Sequence, residues 1–290
     1  MGLRMKFNLV LTLAFSVGLG LAGWLSYQIL QDTARQEVMH NAQIMMESAL
    51  AIRGYTVREI RPLLTLQMKR QFLPQSISAY AAQQNLRALR EKYPEFIYRE
   101  AALNPTNPND RAVDWEADII REFRNNPDRT ELVAERQTPT GPSLVFARPL
   151  QINDQGCLTC HSSPDVAPST LISKYGSTNG FGWKLGEIVG AQVVSVPMAL
   201  PLQRADQLFT LFMGGLVAVF VVVLILLNVL LHFVVVRPVK AIARMADEVS
   251  TGQADVPEFS PKGRDEIASL VTSFNRMRRS LENAMKMLEE

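Results

Sequence analysis

Two cysteines and a histidine stand together at Cys157-Leu158-Thr159-Cys160-His161, and the chain has no other cysteine. Two thiols separated by two residues can each add across one vinyl group of a porphyrin, and an imidazole in the next position can bind the iron as proximal ligand. C-x-x-C-H is accordingly the attachment spacing of c-type haem. The same residues allow two other chemistries. A C-x-x-C pair forms a redox disulfide, usually at a helix start in a thioredoxin-like unit, but the preceding Gln151 to Gly156 is a polar turn. A structural zinc site takes four ligands, and beyond these three residues the fourth would have to be His40, His232 or a carboxylate. One covalent haem c on Cys157 and Cys160, with His161 on the iron, is the expectation carried forward.

An iron held by His161 has a sixth position to fill or to leave open. His40, Met45 and Met46 are the local candidates, on a stretch where Ala42, Met45, Met46, Ala49, Leu50 and Ile52 recur at helical spacing. A methionine stripe at that spacing also packs a core. Phe181 and Trp183, in the glycine-punctuated stretch Tyr175 to Gly186, are candidates for packing on the porphyrin, with core packing as the alternative. Those glycines do not make a phosphate loop, because neither G-K-[ST] nor a strand-G-x-G-x-x-G-helix order is present.

Two apolar runs frame this polar middle. The first, 7–30, carries no charged residue and follows Arg4 and Lys6; it is long enough to span a bilayer and ends in Trp24, Leu25 and Tyr27 rather than a small-residue cleavage site. It is expected to be an uncleaved anchor. The second, 208–236, is followed by Arg237, Lys240 and Arg244. Positive flanks stay in the cytoplasm. Residues 1–6 and 237–290 are therefore expected inside, and 31–207 in the bacterial periplasm, where cytochrome c maturation takes place. Gly18, Ala22, Gly214 and Ala218 are spaced for close helix contact or are ordinary transmembrane usage. Asn228 and His232 share one face of the second span, as structural groups or as a ligand or proton relay. A net charge of +2 makes no bulk case for a nucleic-acid partner.

The middle region reads as helices followed by a small, mainly antiparallel sheet, an α+β arrangement. The first span is expected to continue as a helix to about residue 60, with a kink or loop start at Pro62. A helix over about 74–92 takes Ser76 or Ser78 as cap. Glu95 to Ala102 is strand-like and Asn104 to Asp110 is a turn cluster. Trp115 to Arg124 is an amphipathic helix burying Trp115, Ile119, Ile120 and Phe123. Leu132 to Arg136, Ser143 to Leu150 and Val189 to Val196 are strands, so the cysteine motif falls in the loop between the last two.

After the second span, Arg237-Pro238 opens a helix with a heptad seam of Val239, Ile242, Ala246 and Val249, stopped by Gly252. Val256 and Phe259 lie in a connector with Pro257, Pro261 and Gly263. Asp265-Glu266 then opens a second helix with the seam Ile267, Leu270, Phe274, Met277, Leu281, Ala284 and Leu288. This pattern resembles a HAMP domain. The resemblance implies a parallel homodimeric four-helix bundle that passes motion from a membrane helix to an output module.

Residues 40–200 resemble a family of extracytoplasmic c-type-haem sensor domains with a PAS-like fold, long catalogued as of unknown function. The resemblance rests on Arg53-Gly54-Tyr55-Thr56 with Pro62, Tyr98-Arg99-Glu100, Asn104-Pro105-Thr106-Asn107-Pro108, the cysteine motif, Ala167-Pro168, and Tyr175-Gly176 through Gly180-Phe181-Gly182-Trp183. It implies covalent haem c on Cys157 and Cys160 with His161 axial. Some relatives use a cysteine of the first helix as the other axial ligand. This chain has no third cysteine, so that ligand does not carry over.

The expected function is that of a membrane-bound haem sensor answering to iron redox state or to a small gas such as NO, CO or O2. No kinase, cyclase or methyl-accepting helix follows within the sequence to Glu290, so a separate output protein of such a kind is the expected partner. A membrane-anchored electron-transfer cytochrome is the alternative. An enzyme such as a peroxidase or nitrite reductase is disfavoured by the lack of a distal acid–base pair.

Overall fold

The computed structural model describes residues 2–139, 141–251 and 265–289. They fall into two compact units: Ser26–Phe209, and Met1–Leu25 with Thr210–Glu290.

In the first unit, helix α1 (Leu3–Tyr55) supplies its C-terminal half. It does not stop near residue 60. A π turn, Thr56–Ile60, leads into α2 (Arg61–Met68), so Pro62 sits at the start of a new helical segment rather than of a loop. Proline has no N–H, and its ring crowds the carbonyl four residues back. The wider turn relieves that contact, and the Arg61 N–H reaches back to Thr56 O. Helix α3 (Ser78–Leu89) confirms the helix expected there but not its cap. Ile77 occupies the N-cap without a side-chain bond, because the Ser76 hydroxyl donates instead to Leu73 O at 2.8 Å.

Strand β1 (Ile97–Ala102), helix α4 (Asp114–Asn125), and strands β2 (Leu132–Thr138), β3 (Gly141–Gln151) and β4 (Ile188–Pro197) complete the frame. The sheet is wholly antiparallel in the order β1-β4-β3-β2. Both faces of its centre are covered. Leu144, Phe146, Val194, Val196 and Met198 pack with Val38, Ala42, Met45, Met46 and Ala49 of α1 and with Ala82 and Leu86 of α3. Val145, Ala147, Ala191 and Val193 pack with Ile119, Ile120 and Phe123 of α4. A strand buried on both faces needs no polar alternation, and β4 shows almost none. The long β3–β4 connection carries a short turn of helix, α5 (Leu158–His161), and α6 (Ser169–Tyr175).

In the second unit, α7 (Ala199–Leu231) ends in another π turn, His232–Val236, and leads to α8 (Arg237–Ser250) and α9 (Glu266–Glu289). The helices bearing the two apolar runs are long and apolar enough to cross a membrane. Flanking a domain and followed by the α8–α9 pair, they fit a two-pass inner-membrane protein. Gly18 and Gly214 have open space where a side chain would begin, so close helix contact is not made at these glycines among the described residues. Asn8 and Asn228 instead exchange carboxamide hydrogen bonds of 3.0 and 2.9 Å. The His232 ring stands edge-on to Phe233 at 5.0 Å.

Ile242 of α8 packs with Ile267, Val271 and Phe274 of α9. Asp265 caps α9 by accepting the Ala268 N–H at 2.9 Å. The heptad seam is thus divided: Val271, outside it, is buried, while Leu270, Met277 and Leu281, within it, are exposed. The stop at Gly252 and the connector residues Val256, Pro257, Phe259, Pro261 and Gly263 lie outside the described residues, as does the side chain of Leu288.

Candidate functional site

Asp154 opens the cysteine segment by accepting the Gly156 N–H at 2.8 Å. A tight turn (Gln155–Cys157) and α5 follow. Helical spacing of three and four puts Cys157, Cys160 and His161 on neighbouring positions of one face. All three line a cavity of about 290 Å³. Both thiols are unbridged. Burial pushes the Cys160 thiol up, against a smaller downward pull from the Arg61 charge. Among the described residues no group of three or more His, Cys, Asp or Glu could hold a metal ion by itself, so the zinc alternative finds no ligand set there.

His161 is fixed on three sides. Its Nδ1–H donates to Gly180 O at 2.8 Å, and Thr106 Oγ1 lies 3.3 Å from the same nitrogen. The Trp183 ring stacks on the imidazole, centroids 3.8 Å apart and planes 9° off parallel. With Nδ1 as donor, Nε2 keeps its lone pair, the arrangement that metal-binding imidazoles use. Burial, which favours the neutral form, also holds the ring below the usual histidine range, and the Gly180 bond opposes it in part.

The turn that presents Gly180 O is built from a distant segment. Asn104 Oδ1 accepts the Gly180 N–H at 3.1 Å, and Asn104 Nδ2 donates to Phe181 O at 3.4 Å. Gly180 has φ of +84°, and a Cβ there would lie 2.0 Å from Thr106 Oγ1 and 2.7 Å from Thr106 Cα. Only glycine meets both demands. Backbone bonds from Gly182 N–H to Ser162 O (2.9 Å) and from Trp183 N–H to His161 O (3.2 Å) bring the indole onto the imidazole. Sequence reasoning quoted Asn104, Thr106 and Gly180 without giving them a task. Their signal was a turn-rich N-P-T-N-P stretch and a glycine, which do not reveal a partner far away in the chain.

Strand alternation separates the middle of the Tyr98-Arg99-Glu100 motif from its two ends. Arg99 leaves one face of β1 and pairs with Glu116 of α4 at 2.9 Å. Tyr98 and Glu100 leave the other. Tyr98 donates to Glu100 at 2.8 Å, Gln192 donates to Tyr98 at 3.0 Å, and Arg53 pairs with Glu100 in a short contact. Burial, then the Glu100 carboxylate, pushes Tyr98 well above the ordinary phenol range, so it stays a donor. Arg53 and Glu100 line the cavity, with Val57 and Arg61 beside Arg53.

The proposed second ligands are not brought here. His40 is exposed on α1, while Met45 and Met46 are buried in the cluster between α1 and the sheet, and none of the three lines the cavity. The reason is periodicity: the methionines share the stripe of Val38, Ala42 and Ala49, which packs on β3 and β4. Trp183 stacks on His161, and Phe181 joins an apolar cluster with Phe72, Leu171, Tyr175 and Cys160.

Comparison with known proteins adds three findings. No curated protein matches the chain. A solved structure, the crystal structure of the cyanobacterial haem protein Tll0287, is 20% identical over 40% of this chain and 69% of its own, with a TM-score of 0.35. Family models match twice: a HAMP domain at residues 230–283, and a Tll0287-like domain at residues 31–197, more than half of the chain. The chain belongs to the Tll0287-like family, its haem-protein-like domain followed by a HAMP domain.

Proposed function

We propose that this is a membrane sensor whose residues 31–207 form a PAS-like periplasmic domain with one haem c bound covalently through Cys157 and Cys160 and ligated by His161. The observation that carries the reading is the His161 Nδ1–H donated to Gly180 O, which leaves Nε2 as the lone pair of a residue sharing one cavity with both thiols. The donor set fits the group: an oriented imidazole, two unbridged thiols one helical turn apart, and walls that mix apolar side chains with polar ones, two arginines and the carboxylates of Glu100 and Asp110 among them. Bound there, a haem supplies iron that changes oxidation state and takes small ligands.

The chain's own residues do the rest. Trp183 and Gly180 O hold the imidazole in one orientation. Phe72, Leu171 and Ile152 keep water from part of the cavity. Arg53, through Glu100 and Tyr98, ties the end of α1 to β1 and to Gln192 on β4. Both α1 and β4 are continuous in sequence with an apolar span. A redox change or a small gas would bias this pair of elements to the extent that it favours one of their two arrangements. The exposed Leu270, Met277 and Leu281 on α9 supply an apolar stripe for a homodimeric HAMP bundle, which would engage a separate kinase, cyclase or chemoreceptor-like protein.

The test is covalent haem staining after denaturing electrophoresis. Cys157→Ser with Cys160→Ser abolishes the stain in protein still inserted in membranes. A stain that survives the double substitution sinks the assignment.

A further inference from the structure

Arg53, Val57 and Arg61 are spaced four and four along one helix, across the π turn Thr56–Ile60, and all three line the cavity. The two arginines differ. Arg53 is committed to Glu100 and mostly buried. Arg61 is exposed, so it stands at the solvent edge of the cavity, and it makes no ion pair among the described residues. Val57, between them, has no donor atom.

The remaining lining offers no strong second ligand. His161 is the only histidine on it, and no methionine is present. Of the oxygen donors, Glu100 accepts from Arg53 and Tyr98, and Asp110 accepts from Gln83 at 3.0 Å. Tyr175 stands edge-on to Phe72. Tyr80 is left as the one phenol with no such contact among the described residues.

We infer that Arg61, at the cavity edge beside Val57 and the paired Arg53, draws a small inorganic anion from solution into the cavity, whose lining among the described residues offers no histidine other than His161 and no methionine. The inference rests on the haem reading above and deepens it by naming the ligand class. A guanidinium at the cavity edge attracts an anion, and charge-assisted hydrogen bonds hold it more strongly than neutral ones. A neutral ligand gains nothing from the same charge.

The probe is azide, titrated into the ferric full-length protein in detergent, with haem content fixed by covalent staining and binding read from the optical and electron-paramagnetic spectra. Wild type shows a saturable shift. Arg61→Gln weakens azide by about tenfold while imidazole affinity stays within about twofold, and Arg61→Lys restores most of the azide affinity. Val57→His gives a six-coordinate, low-spin spectrum without any addition and abolishes azide binding. Each of these outcomes supports the site. A stained wild type that is already low-spin and ignores azide overturns the inference alone. So does a charge-transfer band lost in Tyr80→Phe, which would make Tyr80 the ligand. If Arg61→Gln weakens azide and imidazole equally, Arg61 holds a porphyrin carboxylate or the fold instead, and the anion role falls. A wild type without covalent stain overturns the haem reading and this inference together.

Discussion

One backbone device occurs twice in this chain, and its two settings have little in common. A π turn at Thr56–Ile60 precedes Arg61-Pro62, and another at His232–Val236 precedes Arg237-Pro238. In each, the arginine N–H reaches back five residues, to Thr56 O and to His232 O. The cause is shared, since each proline would otherwise crowd the carbonyl four positions earlier, of Arg58 or of Val234. Around the first turn, Thr56 is buried, Arg53 is locked to Glu100, and the helix forms a cavity wall. Around the second, no residue of the turn is buried. The local sequence determines the turn, whereas distant neighbours decide whether it belongs to a site. In the unit holding the cavity the turn is packed against distant neighbours, and in the other the turn has none of its own residues buried within the chain.

Glycines give the largest test of that contrast. At Gly180 an alanine must adopt a left-handed conformation and overlap Thr106. Together these cost about 2–5 kcal/mol, and they displace the carbonyl that orients His161. Gly180→Ala should lower the thermal midpoint of the domain and the fraction of chains carrying haem. Gly214→Ala meets nothing within 4 Å and should change neither. Equal behaviour of the two variants would erase the distinction between the units.

The prolines give an intermediate effect. Replacing either by alanine removes the clash and allows the π turn to relax to α-helix. Loss of the extra residue rotates one side of the turn against the other by about 100°. At Pro62 this would carry Arg61 away from the face of Arg53 and Val57, so Pro62→Ala should shift the visible spectrum and weaken azide binding. Pro238→Ala should leave both as in wild type. A spectral shift in Pro238→Ala, or none in Pro62→Ala, would break the comparison.

Much of the fold was legible because it rests on local periodicity. The stripe from Ala42 to Ile52, the buried side of α4, the strands and the position of the cysteine motif between β3 and β4 all follow from residues close in sequence. What stayed hidden rests on long-range partners. Nothing near Asn104 or Thr106 announces that they hold the Gly180 turn against His161. Met45 and Met46 have the same spacing whether they pack a core or face an iron, and only the packing of α1 on the sheet decides between these. The heptad rule placed Ile267 and Phe274 correctly against α8 but named Leu270, Met277 and Leu281 and missed Val271, because the strip of α9 that α8 covers runs from Ile267 and Phe274 through Val271. Pro62 signalled an interruption, but its neighbours determined that the helix would widen there instead of ending.

The smallest effect lies in the apolar spans and tests the second unit's side of the contrast directly. Asn8 and Asn228 exchange two hydrogen bonds, and Asn228 also donates to Leu224 O at 2.9 Å. Removing one partner strands the other carboxamide, so Asn8→Leu or Asn228→Leu alone should destabilise more than their separate worth suggests. The double substitution should recover part of that loss. Polar pairs between membrane helices are typically worth only about 0.6 kcal/mol, because the separated helices find other partners. A double-mutant cycle of unfolding in detergent should therefore give a coupling of about that size, with the visible spectrum unchanged in all three variants. A coupling of several kcal/mol would mean that the spans are held as firmly as the cavity. A coupling of zero, with the spectrum still unchanged, would leave apolar packing as the tie between these helices within one chain.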